Sequence, residues 1–80
     1  MTEAEVLAVI EEVARDNDLW NGALSRNLRL IEDLDLDSLK ALTLAVEVEN
    51  RFRVCLDPEI ETKLTTVGDL VDLVRRELAG

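Results

Sequence analysis

Apolar residues recur at helical spacing in three separate segments of the chain. At the start of the first, Thr2 and Glu5 have the spacing of a capping box, in which a hydroxyl and a carboxylate satisfy backbone N–H groups. Apolar positions then recur at the intervals of one helix face, at Val6, Val9, Ile10 and Val13. This pattern predicts a first helix that ends near Asn17.

The second apolar segment predicts a helix from Ser38 to Arg51 or Phe52. Its apolar positions cover more than one face: Leu39, Ala41, Leu42, Leu44, Ala45, Val46, Val48 and Phe52. A helix that is apolar nearly all round is normally buried on several sides, which is hard to arrange in a chain of 80 residues. Two interpretations stay open: the helix lies centrally between two others, or part of its surface meets something outside the protein's own core.

The last segment begins with Thr66, whose setting resembles another capped helix start. Its apolar stripe comprises Val67, Leu70, Val71, Val74 and Leu78. Between the second and last helices, Asp57 and Pro58 have the order of an N-cap acid and a first-turn proline, which predicts a short helix through Glu61. The predicted fold class is all-α: a small bundle of three main helices plus one short helix, in a single domain over residues 1–80.

The connection between the first two helices is long and lacks sustained periodicity over residues 17–36. Loops of this length in compact domains are usually functional or packed over the core. The loop contains Trp20, Leu24 and several further leucines, which can act as apolar anchors. We therefore expect it to be pinned against the helices.

Composition narrows the classes of function. The chain has 18 acidic and 9 basic residues, a net charge of −9, which argues against binding nucleic acid or an anionic membrane surface. It has no histidine, the most usual general base, and little volume for a cleft, so we expect no enzyme activity. No stretch approaches the length of a membrane span, and the amino terminus has no basic region followed by an apolar block. We expect a monomeric, cytoplasmic protein.

The single cysteine, Cys55, cannot form an internal disulfide, which agrees with a reducing compartment. It lies between Val54 and Leu56, and we expect it to be a small buried residue rather than a reactive thiol.

The acidic stretch before the second helix is the most informative part of the sequence. Four acids, Glu32, Asp33, Asp35 and Asp37, fall within six residues and lead directly to Ser38. If Asp37 is the N-cap, the hydroxyl of Ser38 is left exposed in the first turn, where a phosphodiester would meet the positive end of the helix and unpaired N–H groups. Taken alone, the Asp-Ser pair is better explained as an ordinary helix cap, worth about 1 kcal/mol, than by any function.

The alternation of Asp33, Asp35 and Asp37 is also that of the first ligands of an EF-hand calcium loop. Such a loop has glycine at its sixth position and glutamate at its twelfth, where this chain has Ser38 and Leu44. We therefore predict no metal site.

Taken with its surroundings, this stretch resembles the modification site of acyl carrier proteins. The resemblance covers essentially the whole chain and rests on residues 30–34, Asp37-Ser38-Leu39, Phe52 and residues 63–67. It implies that Ser38, flanked by Asp37 and Leu39, carries 4′-phosphopantetheine, which a phosphopantetheinyl transferase adds from coenzyme A.

The resemblance further implies a discrete acyl carrier that holds acyl intermediates as thioesters on this arm and catalyses nothing itself. Its partners would be the transferase, the acyl chain, and acyl-loading and acyl-processing enzymes with basic patches, in fatty-acid, polyketide or specialised lipid synthesis. Partner contacts in the family centre on the second helix. In this chain they are expected at Asp35, Asp37, Leu39, Val46, Glu47 and Glu49.

The second helix departs from the family in its charge. Residues 38–56 hold two acids and three bases, a net of +1, whereas residues 1–37 carry −7 and residues 57–80 carry −3. Asp35 replaces a glycine that is common in the family. Acids usual in fatty-acid members are replaced by Lys40, Thr43, Asn50 and Arg51. These departures predict a specialised carrier with its own partners, unless Lys40 and Arg51 are merely solvated charges.

Two other functions stay open from the sequence. An aminoacyl or peptidyl carrier would use the same modified serine. A helical protein-interaction module without a prosthetic group would explain the acidity and the apolar second helix, but it would leave the setting of Ser38 a coincidence.

Overall fold

The computed structural model describes residues 2–55 and 64–79. This part of the chain forms three helices: α1 (Glu3–Asp16), α2 (Ser38–Phe52) and α3 (Val67–Ala79). They confirm the three main helices predicted from the sequence, and no strand lies among the described residues. The short helix predicted from Asp57 to Glu61 lies outside those residues.

Side chains cap the amino-terminal ends of α1 and α3. At α1, the Glu5 N–H donates to Thr2 Oγ1 over 3.3 Å and the Thr2 N–H donates to Glu5 Oε1 over 3.1 Å, which is the predicted capping box. At α3, the Asp69 N–H donates to Thr66 Oγ1 over 3.1 Å, and the Thr66 N–H donates to Asp69 Oδ2 over 3.0 Å. The hydrogen bond from Thr66, ahead of a second from the Thr65 N–H, lowers the pKa of Asp69 although partial burial opposes it.

The core lies where the three helices meet, since each helix packs against the other two. The largest fully buried side chains are Ile10, Leu44, Leu70, Val6, Val13, Val48, Val67, Val71 and Val74. These come from the apolar positions that the periodicity assigns to the helices. No polar or charged residue is buried among the described residues.

The long connection between α1 and α2 is pinned, as its leucines predict. Leu24, Leu30, Leu34 and Leu36 are buried in the same core. Backbone hydrogen bonds tie the loop to the start of α3: the Leu30 N–H donates to the Thr65 carbonyl, and the Val67 N–H donates to the Leu28 carbonyl, each over 2.9 Å. The loop is therefore held in place by these contacts up to the start of α2.

Arg26 connects this loop to both terminal helices. Its guanidinium forms ion pairs with Glu3 of α1 and, over 2.8 Å, with Asp72 of α3. Gly68 lets the backbones approach each other here, because a Cβ at that position would lie 2.9 Å from the Arg26 carbonyl oxygen. The hydrogen bond and charge of Asp72, followed by the charge of Glu3, raise the pKa of Arg26, so this side chain stays cationic.

The end of α2 corrects the expectation for Cys55, which is exposed and not buried. The helix ends at Arg53 in the left-handed conformation, with φ of 57° and ψ of 42°. Of the next two residues, Val54 packs against the core and Cys55 faces outward. Only one of two consecutive side chains leaving this cap reaches the core.

Among the residues described, no helix combines the length and the apolar character needed to cross a membrane.

Candidate functional site at the start of α2

Asp37 is the N-cap of α2, which is the condition under which the sequence leaves the Ser38 hydroxyl free. Its backbone is extended, with φ of −85° and ψ of 176°, and its Oδ1 accepts a hydrogen bond from the Lys40 N–H over 2.8 Å. Its carbonyl accepts from the Ala41 N–H over 2.9 Å, which is the first bond of the helical ladder. The Asp37 carboxylate thus caps the helix, and the Ser38 side chain is not needed as a cap.

Ser38 is therefore the first helical residue, and it is exposed. Within the described part of the chain, the N–H groups of Ser38 and Leu39 have no hydrogen-bond acceptor, nor does the Ser38 hydroxyl have a partner. Open N–H groups and the positive end of the helix dipole both favour an anion at this position.

The segment before Ser38 is held by alternating burial. Leu34 and Leu36 are inside the core, so Asp35 and Asp37 point outward on either side of Leu36. Asp35 itself has a φ of 56°, in the left-handed region that favours glycine. Asp35 thus stands where the family that the sequence resembles commonly has glycine, at a backbone conformation that favours glycine.

Two other acids of this stretch are engaged within the loop. Asp33 Oδ2 accepts from the Arg29 N–H over 2.7 Å, and Glu32 pairs with the Arg29 guanidinium over 2.6 Å. The acids do not converge on a common centre: no group of three or more His, Cys, Asp or Glu residues among those described is placed to hold a metal ion.

The outer face of α2 carries exposed apolar residues immediately after Ser38. Leu39 is 72% exposed, Leu42 44% and Val46 40%. They follow one another at i, i+3 and i+7, so they lie along one side of the helix. The structure brings the predicted contact residues Leu39 and Val46 together, and it adds Leu42, which its helical spacing from Leu39 could have revealed.

The predicted contact acids of α2 are less available than the apolar residues. Glu47 is half-buried and lines a groove of about 300 Å³ between α1 and α2, together with Asn17 and Arg51. Glu49 is also half-buried, and its Oε1 is buried without a hydrogen-bond partner among the described residues. Glu47 and Glu49 are therefore less exposed than Asp35 and Asp37, the two acids nearest to Ser38.

The basic residues of α2 also divide into two kinds. Arg51 pairs with Glu12 over 3.4 Å and with Asp16 over 3.5 Å, so it joins α2 to α1. Lys40 is exposed, and its ammonium group forms no ion pair within the described residues. Arg51 is thus not merely a solvated charge, whereas Lys40 remains open to an external partner.

Comparison with known proteins finds a matching family and several related chains. The family described as "Phosphopantetheine attachment site" matches residues 4–74. The chain is 34% identical to "Acyl carrier protein 2" of Ralstonia nicotianae over 81 residues, covering 100% of both chains. It is 34% identical to the "Acyl carrier protein" of Arthrobacter sp. over 88% of each chain. It is 29% identical to the "Meromycolate extension acyl carrier protein" of Mycobacterium leprae, over 95% of this chain and 67% of the relative.

Proposed function

Because the chain belongs to the phosphopantetheine-attachment family of acyl carrier proteins, whose members carry acyl groups without catalysing reactions, we propose that Ser38 is its attachment residue. The arm, once bound through a phosphodiester to the Ser38 hydroxyl, supplies a terminal thiol that holds acyl groups as thioesters. The protein's own residues bind and present this arm.

The observation that carries the proposal is that Ser38 is exposed at a helix start capped by its neighbour, and that its hydroxyl has no hydrogen-bond partner among the described residues. Asp37 satisfies the Lys40 N–H, so Ser38 has no structural duty in the cap. The N–H groups of Ser38 and Leu39, which have no acceptor among the described residues, would be able to donate hydrogen bonds to the oxygens of a phosphate ester on Ser38. The residues present therefore fit a phosphodiester.

Modification of Ser38 is tested by intact mass spectrometry. The unmodified protein is incubated with coenzyme A and a broad-range phosphopantetheinyl transferase, and we expect a gain of one phosphopantetheine. Ser38→Ala should abolish the gain, whereas Ser25→Ala should leave it unchanged. Ser25 is a matched control, because it is the other serine of the chain and is also exposed. A gain that survives Ser38→Ala, or no gain at all, would contradict the assignment.

We also propose that this carrier serves specialised partners in acyl-chain synthesis. The relatives include acyl carrier proteins of different names, one of them for meromycolate extension, so the family alone leaves the pathway open. The support is the surface of α2, where Lys40 is exposed and Glu47 and Glu49 are half-buried. We propose partner contacts at Asp35, Asp37, Leu39, Val46, Glu47 and Glu49.

Specialisation is tested by competition with a housekeeping carrier. Both proteins are loaded with the same acyl group, and kcat/KM is measured with enzymes of general fatty-acid synthesis. We expect this chain to be the poorer substrate. Equal kcat/KM values for the two carriers would refute specialisation while leaving the assignment of Ser38 intact.

A further inference from the structure

We propose that Lys40 is a specificity-determining residue: the outer face of α2 docks on an apolar surface that presents a carboxylate, and not an arginine or lysine, to Lys40. This inference rests on the proposed function, because a carrier has to present Ser38 to other proteins. It goes beyond that function by stating the chemistry of the partner surface.

The apolar part of the docking surface is the stripe of Leu39, Leu42 and Val46. Single exposed apolar residues are ordinary on a protein surface and need no explanation. Here three large ones align along one face of α2, whereas the other exposed large apolar residues among those described, Ile31 and Leu78, lie outside this helix. The stripe begins one residue after Ser38, so a protein that approaches Ser38 meets it directly.

The charged part of the surface is set by which side chains are already engaged. Arg51 is held by Glu12 and Asp16, and so contributes its charge to the packing of α2 on α1. Glu47 and Glu49 are half-buried, and Thr43 donates its hydroxyl to the Leu39 carbonyl over 2.9 Å. The exposed charged residue in the first two turns of α2 is Lys40.

The acids before the helix do not neutralise Lys40 by pairing with it. Asp37 accepts from the backbone N–H of Lys40, and Glu32 pairs with Arg29. No described carboxylate lies within ion-pair distance of the Lys40 ammonium group. A partner with a base at this point would meet a like charge two residues from Ser38, whereas a partner with an acid there would gain an attraction.

The probe is a ketosynthase whose carrier entrance is lined by arginine and lysine, together with a variant of that enzyme in which one entrance base is replaced by glutamate. The carriers are the wild type, the Lys40→Glu variant and the Arg76→Glu variant. Arg76→Glu is the control, because it makes the same charge change at an exposed position of α3. Each is first modified, and modification is verified by intact mass. The measurements are kcat/KM for the loaded carriers and Kd for unmodified Ser38→Ala versions of all three.

With the basic ketosynthase, we expect Lys40→Glu to raise kcat/KM and lower Kd by about fivefold, the size of exchanging one exposed repulsion for one exposed attraction. The gain should shrink in high salt, and Arg76→Glu should show none of it. With the glutamate variant of the enzyme, the preference should reverse in favour of Lys40.

Equal values for the wild type and Lys40→Glu, or the same gain in Arg76→Glu, would overturn the role of Lys40. In that case the mass gain at Ser38 would still stand, so the carrier function would survive. A chain that takes up no phosphopantetheine would overturn both proposals together.

Discussion

Asp35 offers a direct test of how the loop presents Ser38, because its backbone lies in the left-handed region at φ of 56°. An ordinary L-residue in that region costs about 1–2 kcal/mol, whereas glycine adopts it freely. Aspartate tolerates it better than alanine, since its short polar side chain is compatible with this conformation. We therefore expect Asp35→Gly to be more stable than Asp35→Ala by about 1 kcal/mol, with the wild type between them.

The chain supplies a matched control at Asp18, whose φ is also 56° and which lies at the end of α1, twenty residues before Ser38. The same glycine-over-alanine difference should occur at Asp18. Stability is measured by urea unfolding followed by far-UV circular dichroism. If alanine equals or exceeds glycine in stability at Asp35 but not at Asp18, the conformational argument for Asp35 is wrong.

A second readout separates the backbone of Asp35 from its charge. Asp35→Asn keeps a side chain that tolerates the left-handed region but removes the carboxylate. If Asp35 contacts basic partners as proposed, the asparagine and glycine variants should both lower kcat/KM for the phosphopantetheinyl transferase, while Asp18→Gly should not. A loss confined to Asp35→Ala would instead assign the effect to backbone conformation alone.

Three further predictions concern the support of the site. Gly68→Ala should destabilise the fold by about 1–2 kcal/mol in urea unfolding, because the clash with the Arg26 carbonyl outweighs the better helix propensity of alanine. Arg51→Met should cost about 0.5 kcal/mol, and the loss should vanish in high salt, because its ion pairs are exposed. Because the pKa of Asp69 is lower in the folded state than in the unfolded state, the unfolded state binds more protons at Asp69 in acid. The ionised Asp69 carboxylate therefore stabilises the fold above about pH 4, and this stabilisation is lost as the pH falls further. Asp69→Asn should flatten that part of the pH–stability profile; an unchanged profile would contradict the role of Asp69.

The starts of the helices were predictable because their causes are local. Thr2 with Glu5 and Asp37 before Ser38 are side chains that bond to backbone within three residues, so sequence spacing alone identifies them. The apolar periodicity likewise predicted most of the buried positions of α1 and α3, although Leu78 at the end of the predicted stripe is 42% exposed. Both signals depend on neighbours along the chain and need no knowledge of the tertiary structure.

Contacts between distant segments were not predictable in the same way. Arg26 reaches Glu3 and Asp72 across the fold, and nothing near Arg26 in the sequence marks it as a connector. Residues other than glycine in the left-handed conformation are also hard to predict from the sequence, because their neighbours along the chain do not mark them. Arg53 follows the last helical residue in the left-handed conformation, and the next residue, Val54, packs against the core, although arginine has no preference for that conformation.

The same distinction governs what charge means at the candidate site. Counting residues gives α2 and its end a net charge of +1, but it weighs Arg51 and Lys40 equally. The structure shows that Arg51 pairs with α1, whereas Lys40 has no such pair among the described residues. A partner responds to the field of charges that are exposed and uncompensated, because paired charges largely cancel at the distance of an approaching surface. Among the bases of α2 and its end, Lys40 and Arg53 are exposed and form no ion pair with a described residue, and Lys40 is the one next to the serine that we propose a partner has to reach.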